Sequence, residues 1–159
     1  MKIETTRFGD LTVGEDQVLS FPRGLIGLGD ARRFTLVPVV SKASGQTTSQ
    51  SGYYWLQSLD VPDLAFLVTD PEPFFKDYDV PIREETQQDL QLADTKDGRL
   101  LVICNRVGEW LTGNLLGPLF VNTATRTGVQ VVLTEKTWSH RQPLVKVGLG
   151  QQTIRAAAA

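Results

Sequence analysis

The chain has 159 residues, 41% hydrophobic and 21% charged, with a net charge of −2 and a pI near 5.4. That length is most simply one domain able to bury roughly 70% of its unfolded surface. The balance is acidic, with no Lys/Arg cluster beyond Arg32-Arg33, which argues against direct nucleic-acid binding.

One cysteine, Cys104, and one histidine, His140, exclude an internal disulfide and leave a His/Cys zinc site short of its three or four ligands. Residues 1–20 lack the apolar stretch of a signal peptide, and no apolar run reaches the ~20 residues of a membrane helix. The expectation is a cytoplasmic, soluble domain with no cofactor or metal.

In chain order, Ile3–Phe8 and Leu11–Val13 predict a hairpin turning at Gly9-Asp10. Gln17–Phe21 is a short alternating run stopped by Pro22. A glycine-rich loop, Gly24 to Gly29, follows, and "RFTLVPVV" (Arg33–Val40) predicts a strand whose Pro38 points to an edge or bulge. Ser41–Gly52, "SKASGQTTSQSG", is polar and aperiodic and predicts a mobile loop.

Tyr53–Leu59 and Leu64–Thr69 predict two strands joined by a turn at Asp60–Asp63. "DPEPFFKDYDVPI" carries three prolines that exclude long regular structure. Arg83–Leu90 predicts one short surface helix, with Asp79 as a candidate cap, Pro81 near its start, and Glu84 and Glu85 in the first turn where the dipole favours acids. Arg99–Val107, Phe120–Asn122 and Val129–Thr134 predict further strands. The expected fold is mainly β, a small antiparallel β-barrel-like single domain over residues 1–145, followed by a flexible tail over 146–159.

The glycine loop "FPRGLIGLGDARRF" invites a phosphate-cradle reading. Its order, Gly-x-x-Gly-x-Gly, matches neither the Walker nor the dinucleotide pattern, no Lys follows, and a strand stands where a helix N-terminus is needed. The glycines instead allow tight turning while Leu25, Ile26 and Leu28 pack into or onto the barrel. A nucleophilic pair would have to use His140, in a polar segment, with Cys104, which sits mid-strand among apolar neighbours. A small β-barrel hydrolase using His140 or the carboxylates of Asp70, Asp77 and Asp79 is the alternative reading. An oligonucleotide-binding barrel needs stacking aromatics beside Lys/Arg on one face.

The unusual material is apolar and aromatic side chains in loops. Asp70, Pro71, Phe74, Phe75, Asp77 and Tyr78 form one candidate partner-binding patch, and Asn114, Leu115, Leu116 and Pro118 a second, in the manner of an apolar protein-binding surface with a polar rim.

These segments in this order resemble the flagellar assembly factor FliW family. The resemblance rests on "RFGDLTV", "LSFPRGLIGLGDARRFTLVPV", "YWLQSLDVPDLAFLVTDPEPFFKDYDVPI", "GNLLGPLFVNTATRTGVQVVL" and "HRQPL", spanning Thr5 to Leu144. The Phe-Pro-x-Gly-Leu-x-Gly stretch, Leu56–Ser58, and Asn114-Leu115-x-x-Pro118 with Asn122 carry it jointly. The Ser41–Gly52 loop is longer than is usual for the family, and the tail after Leu144 matches no family pattern.

The resemblance implies a non-enzymatic, β-barrel-like protein, monomeric on its own. It implies binding of cytoplasmic flagellin and, when flagellin is scarce, of the RNA-binding translational repressor CsrA. Flagellin synthesis would thereby be coupled to flagellar assembly.

Overall fold

In the computed structural model, residues 1–39 and 52–147 are described, together with the backbone of a short strand at Ile154–Ala156. The expected loop over Ser41–Gly52 therefore lies, except for Gly52, outside the described residues, as does most of the tail.

The chain opens with a separate hairpin, β1 (Lys2–Thr5) and β2 (Gly9–Thr12). Its turn is Thr6–Phe8 rather than Gly9-Asp10. Thr5 pairs with Gly9, the Thr5 hydroxyl donates to the Gly9 carbonyl at 2.9 Å and accepts from the Phe8 N–H at 2.9 Å. Gly9 takes φ 65°, the left-handed conformation that closes a three-residue hairpin loop. The turn docks on the barrel through Phe8 and Arg7, whose guanidinium lies 4.0 Å from the Trp55 ring centre.

A 3-10 turn at Glu15–Gln17 leads into β3 (Leu19–Ser20), then β4 (Arg33–Pro38), β5 (Tyr53–Ser58), β6 (Ala65–Thr69), α1 (Glu84–Leu90) and β7 (Gly98–Val107). After these come β8 (Trp110–Gly113), β9 (Leu119–Asn122), β10 (Thr127–Gln130), β11 (Gln142–Val147) and β12 (Ile154–Ala156). The ring β7-β6-β5-β4-β3-β10-β9 closes because Gly98–Leu101 of β7 pairs with β9. Beyond that point the same edge of β7 changes partner. Cys104–Val107 pairs with β8, which leads out to β11 and β12. One ten-residue strand thus closes the barrel and carries a side sheet.

Period-two alternation fills both faces. Inward residues Leu19, Phe21, Phe34, Leu56, Val68, Leu101, Leu119 and Val121 form the barrel core, with Phe21 and Phe34 edge-to-face at 5.5 Å. Truncating a core leucine such as Leu101 to Ala costs about 2–5 kcal/mol. Outward residues Tyr53, Cys104, Leu111, Leu144 and Val145 form a second apolar layer beneath the side sheet.

The mainly β fold, with one α-helix among the described residues, follows the sequence reading, but the ring is not wholly antiparallel, since β10 meets β3 in parallel at Thr127 and Ser20. Three strands went unforeseen: β8; β11, whose Pro143 adjoins a register shift; and β12, which pairs with β11 inside the stretch expected to be a flexible tail. β11 continues regular pairing past residue 145, to Val147. The strand expected over Val129–Thr134 ends at Gln130.

Asp79 does not cap α1. Arg83 occupies the cap position without a side-chain bond, and the acids Glu84 and Glu85 of the first turn are left to meet the dipole. The other end is capped from the barrel, where the buried Asn122 amide donates to the Leu90 carbonyl at 2.8 Å.

Candidate functional site

The sequence motifs first do structural work. Leu56 is in the core, while the Gln57 amide nitrogen donates to the carbonyls of Ser58, Pro62 and Leu64 at 2.9–3.2 Å. The Ser58 hydroxyl accepts from the N–H groups of Asp60 and Val61. Leu-Gln-Ser therefore builds the turn between β5 and β6. Asp60 from that turn accepts the N–H groups of Arg32 and Arg33 at 2.9 Å and the Arg33 guanidinium. Burial pushes its carboxyl upward, but these donors win and hold it below the ordinary range.

The glycine loop is a tight excursion. Leu25 bridges to Leu28, and Gly24 has φ 66° where a Cβ would stand 2.8 Å from the Gly29 Cα. Leu25 is buried, Leu28 half-buried, and Ile26 is 62% exposed. Arg23 ties the loop to α1, reaching Glu85 at 2.8 Å and Asp89 at 3.0 Å.

This loop forms one wall of a groove of about 280 Å³. Phe66 and Ile103 line it from β6 and β7, while Asn114, Leu116 and Gly117 supply the facing loop, with Gln130, Val132 and His140 alongside. Gln130 sets the spacing. Its side chain accepts the Ile26 N–H at 2.8 Å and donates to the Gly117 carbonyl at 3.0 Å. Ile26 and Val132, at 62% and 57% exposure, are the most exposed large aliphatic side chains of the groove lining. Neither was among the sequence candidates.

The candidate patches divide by burial. Of the second, Leu115 and Pro118 are buried and only Asn114 and Leu116 reach the groove. Of the first, Asp70 is engaged by Arg99, whose Nε and Nη2 both donate to it at 3.0 Å, and Pro71 is buried. Asp77 is exposed. Phe74 and Phe75 are half-buried against the second apolar layer, and Phe75 and Tyr78 each meet Trp138 edge-on at 5.3 Å.

The two patches meet at Leu115. The Tyr78 hydroxyl donates to its carbonyl at 2.5 Å, and its N–H donates to Ser139. Burial pushes the Tyr78 hydroxyl well up, with Glu135 adding to it. Trp138, the hub of this contact, was not singled out by the sequence reading.

The arrangement offers little to catalysis. His140 is exposed, and no carboxylate joins it among the groove-lining residues. Desolvation pushes the Cys104 thiol up to about 12, which suppresses the nucleophilic thiolate. Among the described residues no group of three or more His, Cys, Asp or Glu is placed to hold a metal ion, and no helix is long and apolar enough to cross a membrane.

A family model described as FliW protein matches residues 2–144. A flagellar assembly factor FliW of Natranaerobius thermophilus is 34% identical over 150 residues, covering 91% of this chain and 92% of the relative. Those of Magnetococcus marinus (33%; 96% and 90% covered) and Leptospira interrogans (32%; 92% and 94%) are similarly alike. A crystal structure of the flagellar assembly factor FliW superposes with a TM-score of 0.76 at 27% identity, covering 90% of this chain and 96% of that one. The chain belongs to the FliW family of flagellar assembly factors.

Proposed function

We propose that this chain is a partner-exchange regulator of flagellar assembly. It binds flagellin in the cytoplasm and, when flagellin is scarce, binds and antagonises the RNA-binding translational repressor CsrA. The observation that carries the reading is family membership across residues 2–144.

The surface supports it. An open groove with an apolar lining and exposed Ile26 and Val132 suits protein docking better than small-molecule chemistry. The nearby loop carries Asp77 and half-buried Phe74, Phe75 and Tyr78. An acidic chain also complements the basic surface that an RNA-binding partner needs.

Exchange follows from mass action. Rising free flagellin occupies the regulator and lowers the fraction left for CsrA, and the reciprocal effect on flagellin affinity is of equal size.

The test is direct. Flagellin and CsrA from the same organism are each mixed with this chain and resolved on a sizing column, with Ile26→Asp as the comparison. The reading expects a complex with each partner and a Kd at least tenfold weaker for one of them in the variant, which should remain folded. Absence of both complexes refutes it.

A further inference from the structure

The two strands of the opening hairpin pair with each other and with no other described strand. Their hydrogen-bond parity follows from the residues beside them. The Val13 N–H donates to the Met1 carbonyl at 2.7 Å, and the Met1 amine donates to the Val13 carbonyl at 2.9 Å. Alternation along the antiparallel ladder then turns the N–H and C=O groups of Ile3 and Thr5 toward β2. Those of Lys2 and Glu4 point away from it. No backbone bond joins Lys2 or Glu4 to another part of the described chain, so β1 presents an open edge.

The charges on that edge are unevenly satisfied. Glu4 lies directly across from Asp10 in the register, an unfavourable pairing of like charges. Lys2 reaches Asp10 at 3.8 Å, and no described cation pairs with Glu4. On the other face of the hairpin Ile3 and Leu11 are half-buried, and Met1 is 55% exposed.

We propose that β1 pairs with β1 of a second copy of this chain, antiparallel about a two-fold axis at Ile3, which joins the two hairpins into one sheet. Charge selects the register. With the axis at Ile3, Lys2 stands opposite Glu4 of the second copy, and Glu4 opposite its Lys2. Both pairs are attractive, and in each the outward backbone groups exchange N–H···O bonds in both directions. Glu4 thereby gains the cation it lacks within its own chain. An axis at Lys2 or at Glu4 would instead set like charges against each other. Pairing through β2, about Leu11, would bring Asp10 to Thr12 and leave Glu4 uncompensated.

Lys-Ile-Glu is its own complement when reversed, as an isologous two-fold contact requires. The same two charges disfavour strands that lack this order, which guards the edge against indiscriminate pairing. On the other face Ile3 meets Ile3 of the second copy, and Met1 falls beside its Thr5.

The contact is small. Its backbone groups give up bonds to water, its ion pairs are exposed, and association costs rigid-body freedom. The dimer is therefore weak, forming at roughly 0.1 mM and above, and the chain is monomeric when dilute. The proposal stands apart from the partner-exchange reading, since it needs neither flagellin nor CsrA.

Sedimentation equilibrium of the untagged chain, from about 10 µM to about 1 mM, tests it, with thermal unfolding as the check on folding. The mass should rise toward that of a dimer. Glu4→Lys should weaken association at least tenfold. That variant sets Lys across from Asp10, which strengthens the hairpin, so the loss cannot come from a melted edge. The double reversal Lys2→Glu with Glu4→Lys restores the complementary order and should restore the dimer. An equimolar mixture of the two single variants should form a mixed dimer that neither forms alone. A wild-type chain still monomeric at the highest concentration overturns the proposal. So does a dimer indifferent to Glu4→Lys, or one that the folded double reversal fails to restore.

Discussion

Asn122 is the residue of the family motif whose structural role can be measured most cleanly. Its side chain is 2% exposed and makes four hydrogen bonds of unequal worth. Its Oδ1 accepts from the N–H groups of Ala124 and Thr125, both exposed residues, so water can replace it there at little cost. Its Nδ2 donates at 2.8 Å to the Leu90 carbonyl, the end of α1, in a bond that is itself buried. Asn122→Ala orphans that carbonyl, at about 1–3 kcal/mol, and leaves a small cavity beside the fully buried Leu90.

The sum is about 2–3 kcal/mol, or a Tm lower by roughly 5–10 °C for a chain of this size. Asn122→Asp keeps the acceptor and loses the donor, so it should destabilise at least as much as Ala. Urea unfolding followed by tryptophan fluorescence measures both. An Asn122→Asp protein as stable as wild type would refute the capping argument. So would Asn122→Ala losing less than about 0.5 kcal/mol while failing to bind flagellin and CsrA, because the motif residue would then act at an interface.

Three further outcomes follow from the geometry. Gly24→Ala forces a left-handed φ on a residue with a Cβ and drives that Cβ to 2.8 Å from Gly29; thermal unfolding should show a loss of at least about 1–2 kcal/mol. The Asp60 carboxyl is held below its ordinary range, so its contribution is present above the unfolded pKa of about 4 and lost as pH falls through the lower folded value. Urea midpoints between pH 5 and pH 2 should therefore fall less steeply in Asp60→Asn than in wild type, and parallel curves would contradict this. Gln130→Ala removes the side chain that fixes the groove's two walls; amide exchange at Ile26 should rise several-fold while exchange in β5 and β6 stays unchanged.

The strands that shape the barrel were legible because apolar residues recur at every second position. Phe34 and Leu36, Leu56, and Val68 face the core from segments read as strands from the start. The strands β8 and β11 were not legible, since "WLTG" is only four residues and "QPLVKV" carries a proline beside a register shift. The turn of the first hairpin was misplaced because Gly9-Asp10 carries a local signal as strong as the Thr5 hydroxyl turn that formed. Asp79 looked like a cap by spacing alone, whereas the helix begins at Glu84.

The candidate loops were visible as apolar residues among prolines and glycines. Their burial was not, because it depends on partners far away in sequence. Tyr78 meets Leu115 and Trp138, and Ile26 joins Gln130 across 104 positions. The glycine loop, expected to build the fold, does so through Leu25 and Gly24 and also supplies one groove wall through Ile26.

The account turns on exchange between two partners, and one titration tests it most directly. CsrA is titrated into this chain in a calorimeter, first alone and then with increasing fixed concentrations of flagellin. The account predicts binding in the absence of flagellin and an apparent Kd that weakens at least tenfold as flagellin saturates, with flagellin affinity reduced by the same factor in the reverse experiment. A CsrA affinity unchanged by saturating flagellin, or no heat from either protein, would contradict it.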